Sequence, residues 1–434
     1  MPSIYLQRRQ FESVPLFVVL VLMFGVTAPA AFAQDRTAPP SDTTDSSASQ
    51  SGLLPEPGFI TKTINRTDSE LTQGSEPKDG FYPELGNMIT GSGWISVGPG
   101  YRHHLFDGHA IVNVSAAVSW YFYKMAQARF ELPHLAHDHV LVGAQAIYQD
   151  LLQVNYFGLG SDSLKSNRSG YRLDETDVLG YATLRPKSWL SFNGRFGWIH
   201  QAELSTMTGW SVTYPNTLDV FSDATAPGLA QQPAFLHGDV SVTADTRNYP
   251  GHPTRGGLYR VTAASYSDRN YGQYSFRRYE AEAAQFVPLV EDTWVLGFHA
   301  WEVFSDTSSG NTVPFYLLPS LGGKNTLRGY YDYRFHDRDM QVFNAESRWA
   351  VFTHLDLAVF ADAGKVAPIA SDLDLKHLKT SYGAGLRVHT RTATVGRLDF
   401  GHSTEGWRVV FKVNDPFRRS TLSGGRTEVI PFVP

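Results

Sequence analysis

The chain has 434 residues, no cysteine, a formal charge of -5, and 42% hydrophobic and 13% aromatic residues. That length carries one large domain and leaves little for a second. Near-neutral charge without a basic block argues against nucleic acid as a partner, and the lack of cysteine excludes disulfides and a lipid-anchor cysteine.

Taken in chain order, the first element reads as an export signal, residues 1–33. Arg8 and Arg9 precede an apolar run over 14–26, and Ala31-Phe32-Ala33 offers a small-x-small cleavage site. "RRQF" at Arg8 also resembles part of a twin-arginine signal, although basic residues are the ordinary content of such a region. Residues 34–57 are rich in Ser, Thr, Pro, Asp and Gly, cannot cover the entropy of ordering, and read as a disordered leader. Beyond the signal no apolar run reaches the ~18 residues a membrane helix needs. The chain is then either soluble after export or crosses a membrane as strands.

From about residue 91 the pattern has period two. "LHGDVSVTADT" puts Leu236, Gly238, Val240 and Val242 on one face and His237, Asp239, Ser241 and Thr243 on the other. "IVNVSAAVS" opposes Val112, Val114, Ala116 and Val118 to Asn113, Ser115 and Ser119. "WLSFNGRFGW" opposes Leu190, Phe192, Phe196 and Trp198 to Ser191, Asn193 and Arg195, and "LDLAVFADAG" opposes Leu355, Leu357 and Val359 to Asp356, Phe360 and Asp362. A last strand sets Trp407, Val409, Phe411, Val413 and Phe417 against Arg408, Lys412 and Asn414.

Fifteen strands are expected: 91–103, 109–119, 122–133, 139–153, 171–186, 188–203, 234–246, 257–268, 274–288, 293–304, 340–352, 355–366, 380–390, 393–403 and 406–417. The same alternation fits a soluble sandwich. Three features favour a transmembrane antiparallel β-barrel: long loops and tight turns alternate, an export signal stands without disulfides, and aromatics sit near strand ends. Those aromatics are Trp94, Tyr101, Trp120, Tyr123, Trp189, Trp198, Trp294, Trp301 and Trp407. A closed barrel with both ends on one side needs an even count, so sixteen strands are predicted, with 58–66 as the first. The alternative is that 120–132 hides two short strands. The barrel is expected over 58–417, with a tail over 418–434. The long connections 154–170, 204–233, 305–339 and 367–379 share one rim.

"LGGKNTLRGYYDYRF", followed by "NAESRW", "FADAG" and "GAGLRVHTRTATVGRLDFG", resembles the BamA/TamA-type outer-membrane assembly barrels, also called the bacterial surface antigen family. "DTRNYPGHPTRG" and "YFGLGSDS" also resemble recurring family segments. The resemblance implies that a long extracellular loop bearing Leu327, Arg328, Gly329 and Tyr330 folds back into the lumen. It implies that Arg328 pairs with an acid in the segment Phe360, Asp362 and Gly364. Independently, period two turns Phe360 and Asp362 inward, with Glu346, Arg348, Arg387, Arg397 and Asp399 beside them. An ion network inside the lumen is the resulting expectation, with Asp362 favoured over Glu346 as the partner of Arg328. The residues alone leave open a solvated Arg328 on a mobile loop.

Other features have plainer readings. His134, His137 and His139 in "HLAHDHV" fall on a short turn and read as solvated rather than metal-binding. Glu280 and Glu282 suit a hydrated lumen better than a two-carboxylate hydrolase. No Gly-x-Ser-x-Gly elbow, P-loop or dinucleotide fingerprint appears, so no cofactor, metal or catalytic residue is expected. A barrel hydrolase needs a Ser with a His on an outer strand face, and no convincing pair stands out.

Two departures from the family matter. Its assembly members carry soluble periplasmic modules before the barrel, and the residues between Ala33 and Trp94 are poor material for a packed core. Residues also continue past Phe417, where family chains usually end. The resemblance implies a non-enzymatic outer-membrane barrel for protein assembly or polypeptide translocation. Its partners would be membrane lipid and unfolded outer-membrane proteins or periplasmic factors. It implies a weak seam, here with Gly91, Gly93, Gly98 and Gly100 on the first side and Asp415 and Pro416 on the last. The alternative is a passive or substrate-selective pore.

Overall fold

The computed structural model describes residues 52–54, 56, 79–85, 96–209, 213–390, 392–412 and 417. Its strands are β1 (Gly80–Leu85), β2 (Ser96–Leu105), β3 (Ala110–Ser119), β4 (Lys124–Leu135), β5 (Val140–Tyr156), β6 (Ser169–Lys187), β7 (Leu190–Ile199), β8 (Glu203–Thr206), β9 (Phe235–Asp245) and β10 (Gly256–Asp268). They continue as β11 (Phe276–Val290), β12 (Trp294–Asp306), β13 (Ser320–Leu321), β14 (Phe335–His336), β15 (Asp339–Phe352), β16 (Leu355–Ala367), β17 (Lys379–His389), β18 (Thr394–Ser403) and β19 (Gly406–Lys412). A short helix, α1 (Thr217–Val220), lies between β8 and β9.

Seventeen of these strands form one antiparallel sheet, and β13 and β14 pair separately as a hairpin. Both β7 and β8 pair with β6, through Asp177–Lys187 and Tyr171–Asp174 respectively, so they lie end to end as one interrupted strand. Counting them as one gives sixteen strands among the described residues, the even number that parity requires. The fold is a transmembrane-type antiparallel β-barrel, and the fifteen strands read from period two are all present. Residues 58–66, read as the sixteenth, lie outside the described residues, as do the signal, Trp94, Gly91, Gly93, Asp415, Pro416 and the tail. The strand that pairs ahead of β2 is β1, with Tyr82 opposite Gly100 and Glu84 opposite Gly98. Both glycines therefore sit on the second strand. Residues 120–132 hold the single strand β4 rather than two short ones.

Burial settles which face is which. Val240 is 64% exposed while its neighbour Asp239 is 9% exposed, and Phe196 is 64% exposed on the neighbouring strand. Val114, Val118, Phe192, Val242, Leu357, Val359 and Val409 are likewise exposed, whereas Asn113, Ser115, His237, Thr243, Asp356 and Asp362 are buried. Apolar side chains face out and polar ones face in, the reverse of a soluble sandwich and the arrangement a lipid-facing barrel needs. Of the aromatics read as an outer girdle, Trp120, Trp189, Trp198 and Trp407 are exposed, but two turn inward. Tyr123 is buried and its hydroxyl donates to the Gln153 carbonyl, and Trp301 packs on the apolar cluster around Leu327.

Two further expectations change. Phe417 is not on the outer face: its ring stacks at 5.4 Å on His299 and lies 5.8 Å from Phe286, while residues 413–416, read as the end of the last strand, lie outside the described residues. Within the leader, the Leu53 and Leu54 amides donate to the carbonyls of Ala350 and Val351, both at 2.9 Å, and Glu56 meets His354 at 2.9 Å. These leader residues are docked on the β15–β16 turn rather than loose.

Candidate functional site

The connection between β12 and β15, residues 307–338, is tied to two parts of the wall. Its first half packs Phe315 at 4.8 Å from Tyr156 and 4.9 Å from Tyr171, on β5 and β6. Its second half is the β13–β14 hairpin, whose tip carries Leu327, Arg328, Gly329 and Tyr330. Local sequence makes this hairpin possible. Gly322 and Gly323 adopt φ of 119° and 86°, a region closed to most side chains, and a Cβ on Gly322 would sit 2.1 Å from the Tyr331 carbonyl oxygen. Leu327 and Tyr330 then join Leu321, Phe335, Met340, Val342 and Val366 in a dry cluster. Gly364 leaves room for it, since a Cβ there would lie 2.9 Å from Leu321.

Arg328 is 1% exposed. Its Nε donates to both oxygens of Asp362 at 3.2 and 3.1 Å, its Nη2 to Asp362 Oδ1 at 2.7 Å, and its own amide to Asp362 Oδ2 at 3.0 Å. Nη1 donates to Glu346 Oε2 at 2.6 Å. The two carboxylates weighed against each other in the sequence therefore share one guanidinium. The Phe360 ring lies 3.5 Å from its centre, a cation–π face that covers the flat side of the ion.

The pairing continues along the wall. Glu346 also accepts from Arg387 Nε and Nη2 at 3.2 and 2.8 Å. Arg387 Nη1 donates to Asp399, and Asp399 accepts from Arg397 Nη1 at 3.1 Å. Arg397 Nη2 returns to the loop, donating to the Lys324 carbonyl at 2.6 Å. Three guanidinia alternate with three carboxylates, so the row is neutral and each buried charge has an opposite neighbour. That condition lets ions persist out of water. Arg348 lies elsewhere on the wall, donating to the Pro253 carbonyl with its guanidinium 5.4 Å from the Phe286 ring.

Several supporting residues escaped the sequence reading. Asn344 donates to Asp362 at 2.9 Å and to the Thr326 carbonyl at 2.6 Å, and Ser381 donates to Asp362 at 3.0 Å. Both lie on inward faces, so period two marks them as lumenal, but nothing in the spacing names their partner. Gly329 lies against the wall: a Cβ there would come 2.7 Å from Ser381 Cβ and 2.8 Å from the His402 backbone. Its carbonyl accepts from Ser403 Oγ at 2.8 Å. Tyr330 reaches Thr404 at 3.1 Å, Arg334 reaches Glu405 at 2.8 Å, and Lys412 donates to Asn325 at 2.9 Å, so the tip is also tied to β19 and the turn before it. The "YFGLGSDS" segment meets the loop from the opposite side, where Arg334 donates to Ser163 Oγ at 2.9 Å.

The ionisable groups thus fasten the loop to the inner wall. The predicted solvated turn is as expected in kind: His134 meets Asp138 at 2.6 Å and His139 meets the Arg185 carbonyl at 2.8 Å, all exposed.

A sixteen-stranded barrel with apolar staves outside and a long loop bolted to its inner wall defines a class of outer-membrane-type barrels. Residues 112–404 match the Omp85 superfamily domain, and the chain belongs to that superfamily. Among solved structures it is similar to BamA from Haemophilus ducreyi lacking POTRA domains 1–3, with a TM-score of 0.57, 14% identity, and coverage of 84% of this chain and 82% of that one. It is also similar to CdiB from Escherichia coli, with a TM-score of 0.52, 14% identity, and coverage of 78% of this chain and 63% of that one. At that identity the likeness concerns the fold. No curated protein sequence matches the chain.

Proposed function

We propose that this protein is a non-enzymatic outer-membrane barrel that handles polypeptide chains, in assembly of membrane proteins or in translocation. The observation that carries the reading is a contrast in the wall. The loop tip is fastened to β15–β18 by the neutral ion row, while β1 carries Pro83, which has no amide to give to a ladder. A strand interrupted by proline pairs less completely, and an unpaired edge can be extended by an incoming strand. The ion row would hold the rest of the wall in shape while that happens. The partners are membrane lipid outside and unfolded chains or periplasmic factors at the rims. Membership of the superfamily and the lipid-suited outer face support a place in the outer membrane.

Deleting the gene and surveying outer-membrane protein and lipid composition tests this reading. Loss of membrane proteins or of an exported polypeptide is expected. Unchanged composition with reduced small-solute uptake would reject it. That second outcome is what a selective pore predicts, a reading favoured by the lumen's buried charges, such as Asp177, His237 and Asp239. A pore would also gain conductance in Arg328→Ala without any assembly defect.

A further inference from the structure

At the opposite rim, the turn between β9 and β10 does not stay over its own hairpin. Gly251 forms a parallel bridge with Ala393, and the Thr394 amide donates to the Gly251 carbonyl at 2.9 Å. In the sheet, β11, β12, β15 and β16 separate β10 from β17. The turn therefore leaves its own strands and reaches the β17–β18 turn, several staves away.

That reach brings His252 to His389 and Asp356. The two imidazole rings stack with centroids 3.8 Å apart and planes 10° from parallel. His389 Nε2 lies 3.0 Å from Asp356 Oδ1, and His252 Nε2 lies 3.5 Å from Asp356 Oδ2. All three side chains are more than nine-tenths buried, with exposures of 7, 7 and 6%. Their ligating atoms lie within 4.8 Å of one another.

The outer nitrogens explain why this is more than a histidine–aspartate contact. His389 Nδ1 sits 2.9 Å from the Thr390 carbonyl, which can only accept, so Nδ1 carries a hydrogen. His389 Nε2 then presents either a lone pair or a second proton to the carboxylate. A lone pair facing a carboxylate at that distance is repulsive unless a cation lies between them. A proton there would satisfy His389 alone, yet His252 Nε2 converges on the same carboxylate, and its own Nδ1 is 3.3 Å from Thr394 Oγ1.

We propose that His252, His389 and Asp356 bind one divalent transition-metal ion of the zinc class, stapling the β9–β10 turn to the starts and ends of β16 and β17. Two imidazoles and a carboxylate without thiolate suit zinc, nickel or copper, and the absence of a cage of oxygens argues against calcium. The oxygen partners of both Nδ1 atoms fix ring orientation as metal-bound histidines require. Ligand atoms each ~2.0–2.2 Å from one tetrahedral zinc stand roughly 3.3 Å apart, and the 3.0 and 3.5 Å separations about Asp356 are of that size. A small cavity lined by Tyr249, Thr254, Asp292 and Thr293 adjoins the cluster and gives room for a water as fourth ligand.

The test uses the full chain without an affinity tag, purified in detergent, stripped with chelator and titrated with Zn2+ by calorimetry. One equivalent should bind and raise the thermal midpoint. His389→Gln and Asp356→Asn should each weaken binding by at least about tenfold, the lower bound seen even when a metal-bound histidine loses only its supporting partner. His134→Gln with His137→Gln, on an exposed turn, should change nothing. Absence of binding by the parent, or equal binding by a folded His389→Gln variant, overturns the proposal. If the variants do not fold, Co2+ added to the stripped parent decides. Four-coordinate d–d absorption displaced by Zn2+ supports the site, and octahedral absorption alone overturns it.

Discussion

The inner wall from β15 to β18 and the end strands β1 and β19 are built to opposite specifications. β15 and β16 run for 14 and 13 residues and carry Glu346 and Asp362, each holding a guanidinium of a neighbouring element. β1 includes Pro83 and meets β2 through Tyr82, whose ring fills the space over Gly100 and whose hydroxyl donates to Asn113 at 2.7 Å. A proline lacks the amide a ladder uses, so this strand is limited in how far it can pair. The comparison teaches that strength is placed away from β1: the loop is fixed to long, ion-paired strands, while β1 relies on Tyr82 and is interrupted by Pro83.

The comparison can be broken most forcefully at Arg328. Arg328→Ala leaves Asp362 buried with only Asn344, Ser381 and backbone donors, and removing one partner of a buried pair costs about 3–5 kcal/mol. The loop tip should become cleavable by protease in intact vesicles while the barrel stays folded. Arg328→Lys should rescue only in part, because an ammonium cannot reproduce the fork to Asp362. Gly329→Ala comes next. Its methyl would meet Ser381 and the His402 backbone, an overpacking penalty of about 1–3 kcal/mol, read as a smaller rise in the same cleavage.

Acid should loosen the hairpin at a separate point. His336 in β14 is buried beside Arg334, and burial lowers its folded value to about 3 from an ordinary 6.5. A depressed imidazole stabilises the fold fully above its unfolded value and loses that contribution as pH falls through the window from 6.5 toward 3. Loop cleavage should therefore rise as pH falls below 6.5, and His336→Phe should flatten the dependence.

Tyr82→Phe tests the other side of the comparison. It removes one hydrogen bond, worth about 1 kcal/mol, and should speed exchange of β1 amides without exposing the loop. The smallest effect belongs to Lys379→Ala. Its partner Asp162 is fully exposed, and such pairs contribute little to stability, so neither loop cleavage nor melting should change measurably.

The sequence carried the staves well because one face of each strand had to be apolar for lipid and the other polar for the lumen. β1 was missed because the stretch "GFYPEL" is interrupted by Gly and Pro and shows no period. Phe417 was misplaced for another reason: it continues the alternation of β19 on paper, but its ring lies in the lumen against His299. At the loop, period two put Asp362, Glu346, Arg387 and Asp399 on inward faces. It could not decide how one guanidinium would divide between two acids, since that depends on where the hairpin tip lands. Asp356 was read as inward-facing, and His252 and His389 lie in segments quoted for their resemblance, but nothing joined the three, because a turn crossing between distant staves leaves no spacing in the chain to read.

Hydrogen exchange on the protein in lipid nanodiscs measures the central contrast strand by strand. The account predicts slow exchange at inward-bonded positions of β15, β16 and β17, fast exchange in β1 and β19, and collapse of that difference around the loop in Arg328→Ala. End strands protected as strongly as β16, or a β16 unaffected by the substitution, would contradict it.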